Sequence, residues 1–229
     1  MIKRLIGKIV FSTTVFELFQ KAGIHVTRRH FYSPIPDTRL LKNRRDLWEG
    51  EYDLPGVDLN EARQLDVLDT LIPKYRGECH FPEDRTTNPQ EYYVNNGSFG
   101  LVSAVALHSM IRHYQPRTII EVGSGFSTMV SARAALMNAE QGHPAKLIAV
   151  DPNPLPQLQS GLPGITELIP RRVEDLGASF FDQLDRGDIL FLDSSHVLKI
   201  GGDVAFLYLE VLPRLKPGVV IHIHDILWP

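Results

Sequence analysis

The stretch Thr118-Ile119-Ile120-Glu121-Val122-Gly123-Ser124-Gly125-Phe126-Ser127-Thr128 decides the reading of this chain. Five residues rich in β-branched side chains form a strand pattern, a glycine pair allows a tight turn, and a helical pattern opens at Phe126. A strand, a glycine turn and a helix N-terminus together present backbone N–H groups to a carboxylate or phosphate. A second strand, Lys146 to Val150, ends on Asp151, where a carboxylate can accept both hydroxyls of a ribose. A nucleoside site is the expectation. The alternative for Gly123 and Gly125 is a structural turn only. The third glycine of the nicotinamide fingerprint is replaced by Thr128, and Asp151 lies beyond the usual ~20-residue spacing. No Gly-Lys-Ser/Thr follows the turn, which excludes a Walker-type phosphate loop.

Working outward from this unit, strands and helices alternate. The pattern predicts a helix from Phe99 to Tyr114, strand one (Thr118 to Val122), a helix from Phe126 to Glu140 and strand two (Lys146 to Val150). It continues with strand three (Thr166 to Ile169), a helix from Asp175 to Leu184, strand four (Asp188 to Leu192), a helix from Asp203 to Leu212 and strand five (Val219 to Ile223). Continuous Ile/Val/Leu strands separated by helices predict an α/β fold, a doubly wound parallel sheet of order 3-2-1-4-5. Ligands then bind beyond the carboxyl ends of the central strands. Residues 1–90 read as a helical and irregular extension, and 91–229 as the Rossmann-like domain.

In the extension, Ile2, Leu5, Ile6, Ile9 and Val10 fall at helical spacing, packed on the protein body or lying on a membrane surface. Thr14 and Glu17 suggest a capping box for a helix closed by Gly23. The proline- and charge-rich stretch from His30 to Pro55 predicts irregular chain, and Leu59 to Ile72 a helix with Leu65, Val67, Leu68, Leu71 and Ile72 as its apolar positions. A net charge of -3 over 229 residues, with basic residues scattered, points away from nucleic acid. No apolar run is long enough to span a bilayer. One cysteine, Cys79, fits a reducing, cytoplasmic compartment.

Three further segments carry a resemblance: His30 to Asp37 (His-Phe-Tyr-Ser-Pro-Ile-Pro-Asp), Asp193-Ser194-Ser195-His196 after strand four, and His222-Ile223-His224-Asp225 at strand five. With the turn Glu121 to Thr128 and Asp151, they resemble class I S-adenosylmethionine-dependent methyltransferases of a bacterial subgroup. The resemblance implies that Glu121, Gly123, Ser124 and Gly125 cradle the methionine part and ribose of the cofactor, with Ser127 and Thr128 near its carboxylate. It implies Asp151 on the ribose, Glu174 on the adenine amino edge, Asp193 beside the cofactor, and Asn95-Asn96-Gly97-Ser98-Phe99 as a loop over the methionine end.

Asp193, His224 and Asp225 converge at neighbouring strand ends, a donor set suited to Mg²⁺ or Mn²⁺. The arrangement is similar to that of catechol-type O-methyltransferases, although His224 stands where those enzymes have a carboxylate. His196 then matches the general base, with Lys199 as the alternative. Each has a plainer reading: Asp193 capping a turn, His222 as structure, Gly201 and Gly202 as turn glycines before a helix capped by Asp203. The implied activity is methyl transfer to oxygen on a small molecule or sugar. The rivals are a nicotinamide-dependent oxidoreductase and a non-catalytic nucleoside-binding remnant. The family resembled continues past strand five with a helix and two strands. The sequence stops at Pro229, so a C-terminally truncated sheet with an exposed strand-five edge, open to pairing with a second copy, is expected.

Overall fold

The computed structural model describes residues 12–27, 35–47, 49 and 54–226. The apolar stripe at 2–10 and most of the His30 to Asp37 segment lie outside the described residues. The chain divides into two compact units, 1–57 with 228–229, and 58–227. Residues 58–90, grouped on sequence with the extension, fall in the second unit.

In the first unit, α1 (Thr13–Lys21) is capped by Ser12, whose hydroxyl accepts from the Val15 N–H; Thr14, the cap expected from sequence, lies inside the helix. Its end is closed as expected by Gly23 at φ 74°, with Ile24 N–H on the Phe19 carbonyl and Gly23 N–H on the Gln20 carbonyl. Asp37 caps α2 (Thr38–Asn43) through the Arg39 and Leu40 N–H groups.

The second unit begins with α3 (Glu61–Asp66), which passes through a wide π-turn, Val67–Leu71, into α4 (Ile72–Arg76). Pro73 explains the widening. Its ring crowds the carbonyl four residues back, and the helix answers with an i→i+5 bond from Ile72 N–H to the Val67 carbonyl. Leu65 and Leu68, expected on the apolar face, are exposed, whereas Leu71 is buried.

Next come α5 (Leu101–Tyr114), β1 (Thr118–Val122), α6 (Phe126–Glu140), β2 (Lys146–Val150), the short α7 (Pro156–Gln159), β3 (Glu167–Ile169), β4 (Ile189–Leu192), α8 (Asp203–Phe206) and β5 (Val220–Ile223). The strands form one parallel sheet of order β3-β2-β1-β4-β5, as the sequence predicts.

Alternate residues on each strand supply its two faces. Ile119, Leu147 and Phe191 pack with α5 and α6 residues Leu107, Ile111 and Met129 on one side. Ile120, Ile148, Leu190 and Leu192 pack with Phe181, Leu207 and Val211 on the other. Burying each such side chain stabilises the fold by roughly 1.5–3 kcal/mol. The buried Asp188 carboxylate accepts from the N–H groups of Arg117, Thr118 and Asp185, and so fastens the beginnings of β1 and β4 together.

Two crossovers differ from the regular helices expected. Between β3 and β4, Gly177 at φ 75° breaks the helix into two 3₁₀ segments, Val173–Leu176 and Ala178–Gln183. After α8 the chain widens into a second π-turn, Leu207–Val211, immediately before Leu212-Pro213, repeating the proline device of α3 and α4. Asp203 does not cap this helix; the N-cap is Gly202. The Asp203 carboxylate accepts instead from the Ser195 N–H and hydroxyl, each at 2.6 Å, and shapes the loop after β4.

Candidate active site

The paired register of Val122 with Val150 and Leu192, and of Leu192 with Ile223, brings four strands to an end at one level. β1 and β4 are neighbours whose onward chains leave to opposite faces of the sheet, so a crevice opens where they diverge. It measures about 640 Å³, within the ~300–1,000 Å³ of small-molecule sites. Gly123, Asp151, Arg172 and Glu174 line it, facing Asp193, Ser195 and Lys199.

The two turn glycines serve different ends. Gly123, at φ 91°, sits so close to β4 that a Cβ would fall on the Asp193 carbonyl, so the fold itself requires glycine. At Gly125 a Cβ would meet only Leu155 at 3.9 Å. Among the described residues nothing else stands in the way of a side chain there, so the need for glycine at this position does not come from packing.

Behind the turn, Glu121 is fully buried and accepts from the hydroxyls of Ser127 at 2.6 Å and Thr128 at 2.9 Å through one oxygen. Its other oxygen has no hydrogen-bond partner among the described residues. Burial pushes its carboxyl up to about 7, against the pull of the Ser127, Thr128 and Ser131 hydroxyls. Thr128 also accepts from the Gly125 N–H at 2.9 Å. Ser127 and Thr128 are thus turned inward onto Glu121, and these three side chains shape the turn from beneath. Asp151 is placed at the crevice wall; one oxygen accepts from the Ser124 N–H at 2.7 Å and hydroxyl, the other from the Asn153 N–H. Glu174 accepts from Arg172, which also reaches the Gly201 carbonyl at 2.8 Å and so joins the two rims.

Beside the crevice lies a second constellation. Asp193 Oδ1 is 3.2 Å from His196 Nε2 and 3.1 Å from His224 Nδ1. Asp225 approaches His224 Nδ1 at 3.4 Å and His196 Nε2 at 3.8 Å. One ligand atom from each of these four residues lies within 4.8 Å of the others. The three residues grouped on sequence for a metal are therefore together, and His196, assigned there to proton transfer alone, joins them. Its backbone at φ 55° turns the ring back toward Asp193. Lys199 is on the crevice rim, outside this group.

His222 packs its ring against Phe191 at 5.0 Å, and burial lowers its pKa to about 4, which suits a neutral structural ring. Two more residues border the site: Ser103, which has no signal in the sequence, and Phe99, from the segment expected over the methionine end of the cofactor. Ser103 Oγ is 3.0 Å from His224 Nε2, and the Phe99 ring lies 4.8 Å from that imidazole. Only the fold brings α5 across the ends of β4 and β5.

A family model described as a methyltransferase domain matches residues 120–226, from the middle of β1 to just past β5. An uncharacterized protein of Archaeoglobus fulgidus is 33% identical over 167 residues, covering 70% of this chain and 74% of the relative. The match spans the glycine turn, the crevice and all four converging donors. With this parallel sheet and its crevice at the strand reversal, the chain belongs to the methyltransferase domain family in its class I, Rossmann-like form.

Proposed function

We propose that the protein is an S-adenosylmethionine-dependent O-methyltransferase acting on a small molecule or sugar, with a divalent cation, Mg²⁺ or Mn²⁺, at the strand ends. One observation carries the reading: a crevice lined by Gly123 and by an acidic residue at the end of β2 adjoins a cluster of two imidazoles and two carboxylates. S-adenosylmethionine, when bound, supplies an electrophilic methyl group. Asp151 holds the ribose hydroxyls and Glu174 the adenine edge. Gly123, Ser124 and Gly125 present backbone to the rest of the nucleoside, with Glu121, Ser127 and Thr128 holding the turn in shape.

His196 takes the proton of the acceptor hydroxyl. Asp193 accepts from its Nε2–H, which leaves Nδ1 as the basic nitrogen, the role a carboxylate plays behind any histidine base. Lys199 is the alternative base on the crevice rim. Asp193, His224 and Asp225 offer oxygen and imidazole donors that fit a hard or borderline divalent ion. Such an ion would acidify a coordinated hydroxyl. The outer strand β5 has no sheet neighbour beyond it among the described residues, and it is the edge through which a second copy would pair.

Calorimetric titration tests the core of this reading. Binding of S-adenosylhomocysteine with none of NADH supports it, and the reverse result overturns it. Cofactor binding without transfer to any hydroxylated acceptor in a broad screen would mark a non-catalytic remnant.

A further inference from the structure

The side of His224 away from Asp193 is held by a segment that the proposed chemistry does not use. Its backbone N–H donates to the Leu192 carbonyl at 2.9 Å. The Phe99 ring, in a residue 2% exposed, packs against the imidazole at a tilt of 43°, centroid to centroid 4.8 Å. Its Nε2 is 3.0 Å from Ser103 Oγ. Phe99 is itself locked. Its carbonyl accepts from the Tyr92 hydroxyl at 2.8 Å and from Asn96 Nδ2 at 2.9 Å, while Asn96 Oδ1 accepts from the Ser98 and Phe99 N–H groups.

A serine inside a helix commonly bonds the carbonyl four residues back. For Ser103 that carbonyl belongs to Phe99, and both of its lone pairs are already used. The hydroxyl is left for the imidazole.

We infer that Ser103 is a positioning residue: it fixes the ring of His224 so that Nδ1, and not a ring carbon, faces Asp193, Asp225 and His196. A half-turn of the ring would exchange Nδ1 with Cδ2 and Nε2 with Cε1, removing a donor from the cluster. Phe99 does not prevent that half-turn, because its hydrocarbon ring has no hydrogen-bonding atom to select nitrogen over carbon. Ser103 opposes it, because a hydroxyl can pair with Nε2 as donor or as acceptor but gains little from a carbon. The segment Asn95 to Phe99, expected over the methionine end of the cofactor, acts in this inference as the mount for His224. The inference rests on the divalent-ion reading for its effect on metal, but its structural content can be read without one.

The test compares the full chain with Ser103→Ala and Ser103→Thr. Alanine is the best helix former, so loss of the hydroxyl should leave folding intact, as circular dichroism would verify. Mn²⁺ affinity, measured by calorimetry or electron paramagnetic resonance, should fall about 10–100-fold in Ser103→Ala, the usual cost of losing a partner behind a ligating histidine, and be kept in Ser103→Thr. Unchanged Mn²⁺ affinity in Ser103→Ala overturns the inference. If the parent protein binds no Mn²⁺, the divalent-ion reading fails and the ¹⁵N resonances of His224 decide. A shift in Ser103→Ala that Ser103→Thr does not show supports the positioning role, and identical resonances in all three overturn it.

Discussion

Asp151 and His196 can be separated by what each substitution disturbs. Asp151→Ala removes a carboxylate whose hydrogen bonds to ribose would contribute about 1.5–3 kcal/mol. S-adenosylhomocysteine binding should weaken roughly ten- to hundredfold by calorimetry. His196→Ala should leave that affinity unchanged and depress kcat by about 10²–10⁴, the range for loss of a general base. Equal losses of binding in both variants would refute the division of labour. Glu121 makes a different prediction, about stability. Its carboxyl is raised from 4.5 to about 7 in the folded protein, so the folded state holds a proton that the unfolded chain has released. The stabilising contribution is complete below about pH 4.5 and is lost as pH rises toward 7, at up to ~1.4 kcal/mol per pH unit. Urea unfolding at a series of pH values should show this slope in the parent and a flatter one in Glu121→Gln. Asp151, Asp193 and His224 were legible in the sequence because each follows an apolar strand whose end could be located. Ser103 was not: it lies 121 residues from its partner, on a helix with no motif.

The β1 to α6 turn offers a comparison between two glycines that sequence reading treats as a pair. Gly123→Ala places a methyl group against the Asp193 carbonyl at a positive φ, and should destabilise the fold by on the order of 3 kcal/mol in urea unfolding. Gly125→Ala meets only Leu155 at 3.9 Å, so its unfolding midpoint should stay near that of the parent while S-adenosylhomocysteine affinity drops. If Gly125→Ala binds as tightly as the parent, this turn is not where the nucleoside sits. The strands were legible to within a residue, since buried parallel strands are written as unbroken apolar runs. The crossovers were less so. Periodicity showed apolar residues from Asp175 to Leu184 and from Asp203 to Leu212, but not that Gly177 would break the first into 3₁₀ segments. Nor did it show that Pro213 would widen the second into a π-turn. Each break depends on one residue, which an average over a window hides.

For the whole molecule, sheet order followed from the alternation of elements and the handedness of crossovers, whereas the division near residue 57 falls where the proline- and charge-rich stretch gives way to helix, short of the boundary near residue 90 that the change to alternating strands and helices suggested. Association is a property at this scale. Ile221, on the outer strand β5, is 43% exposed, and sedimentation should show concentration-dependent pairing that Ile221→Lys abolishes. A monomer at all concentrations would remove the edge-pairing proposal. No helix among the described residues is long and apolar enough to cross a membrane. The contact of Gly123 with the Asp193 backbone has a reach beyond its own turn. One main-chain joint carries the crevice wall on one side and, through the Asp193 side chain, His196 and His224 on the other. Drift at that hinge point would disturb the crevice and the imidazole–carboxylate cluster in concert, so natural variation should accumulate in the surrounding loops and leave this seam alone.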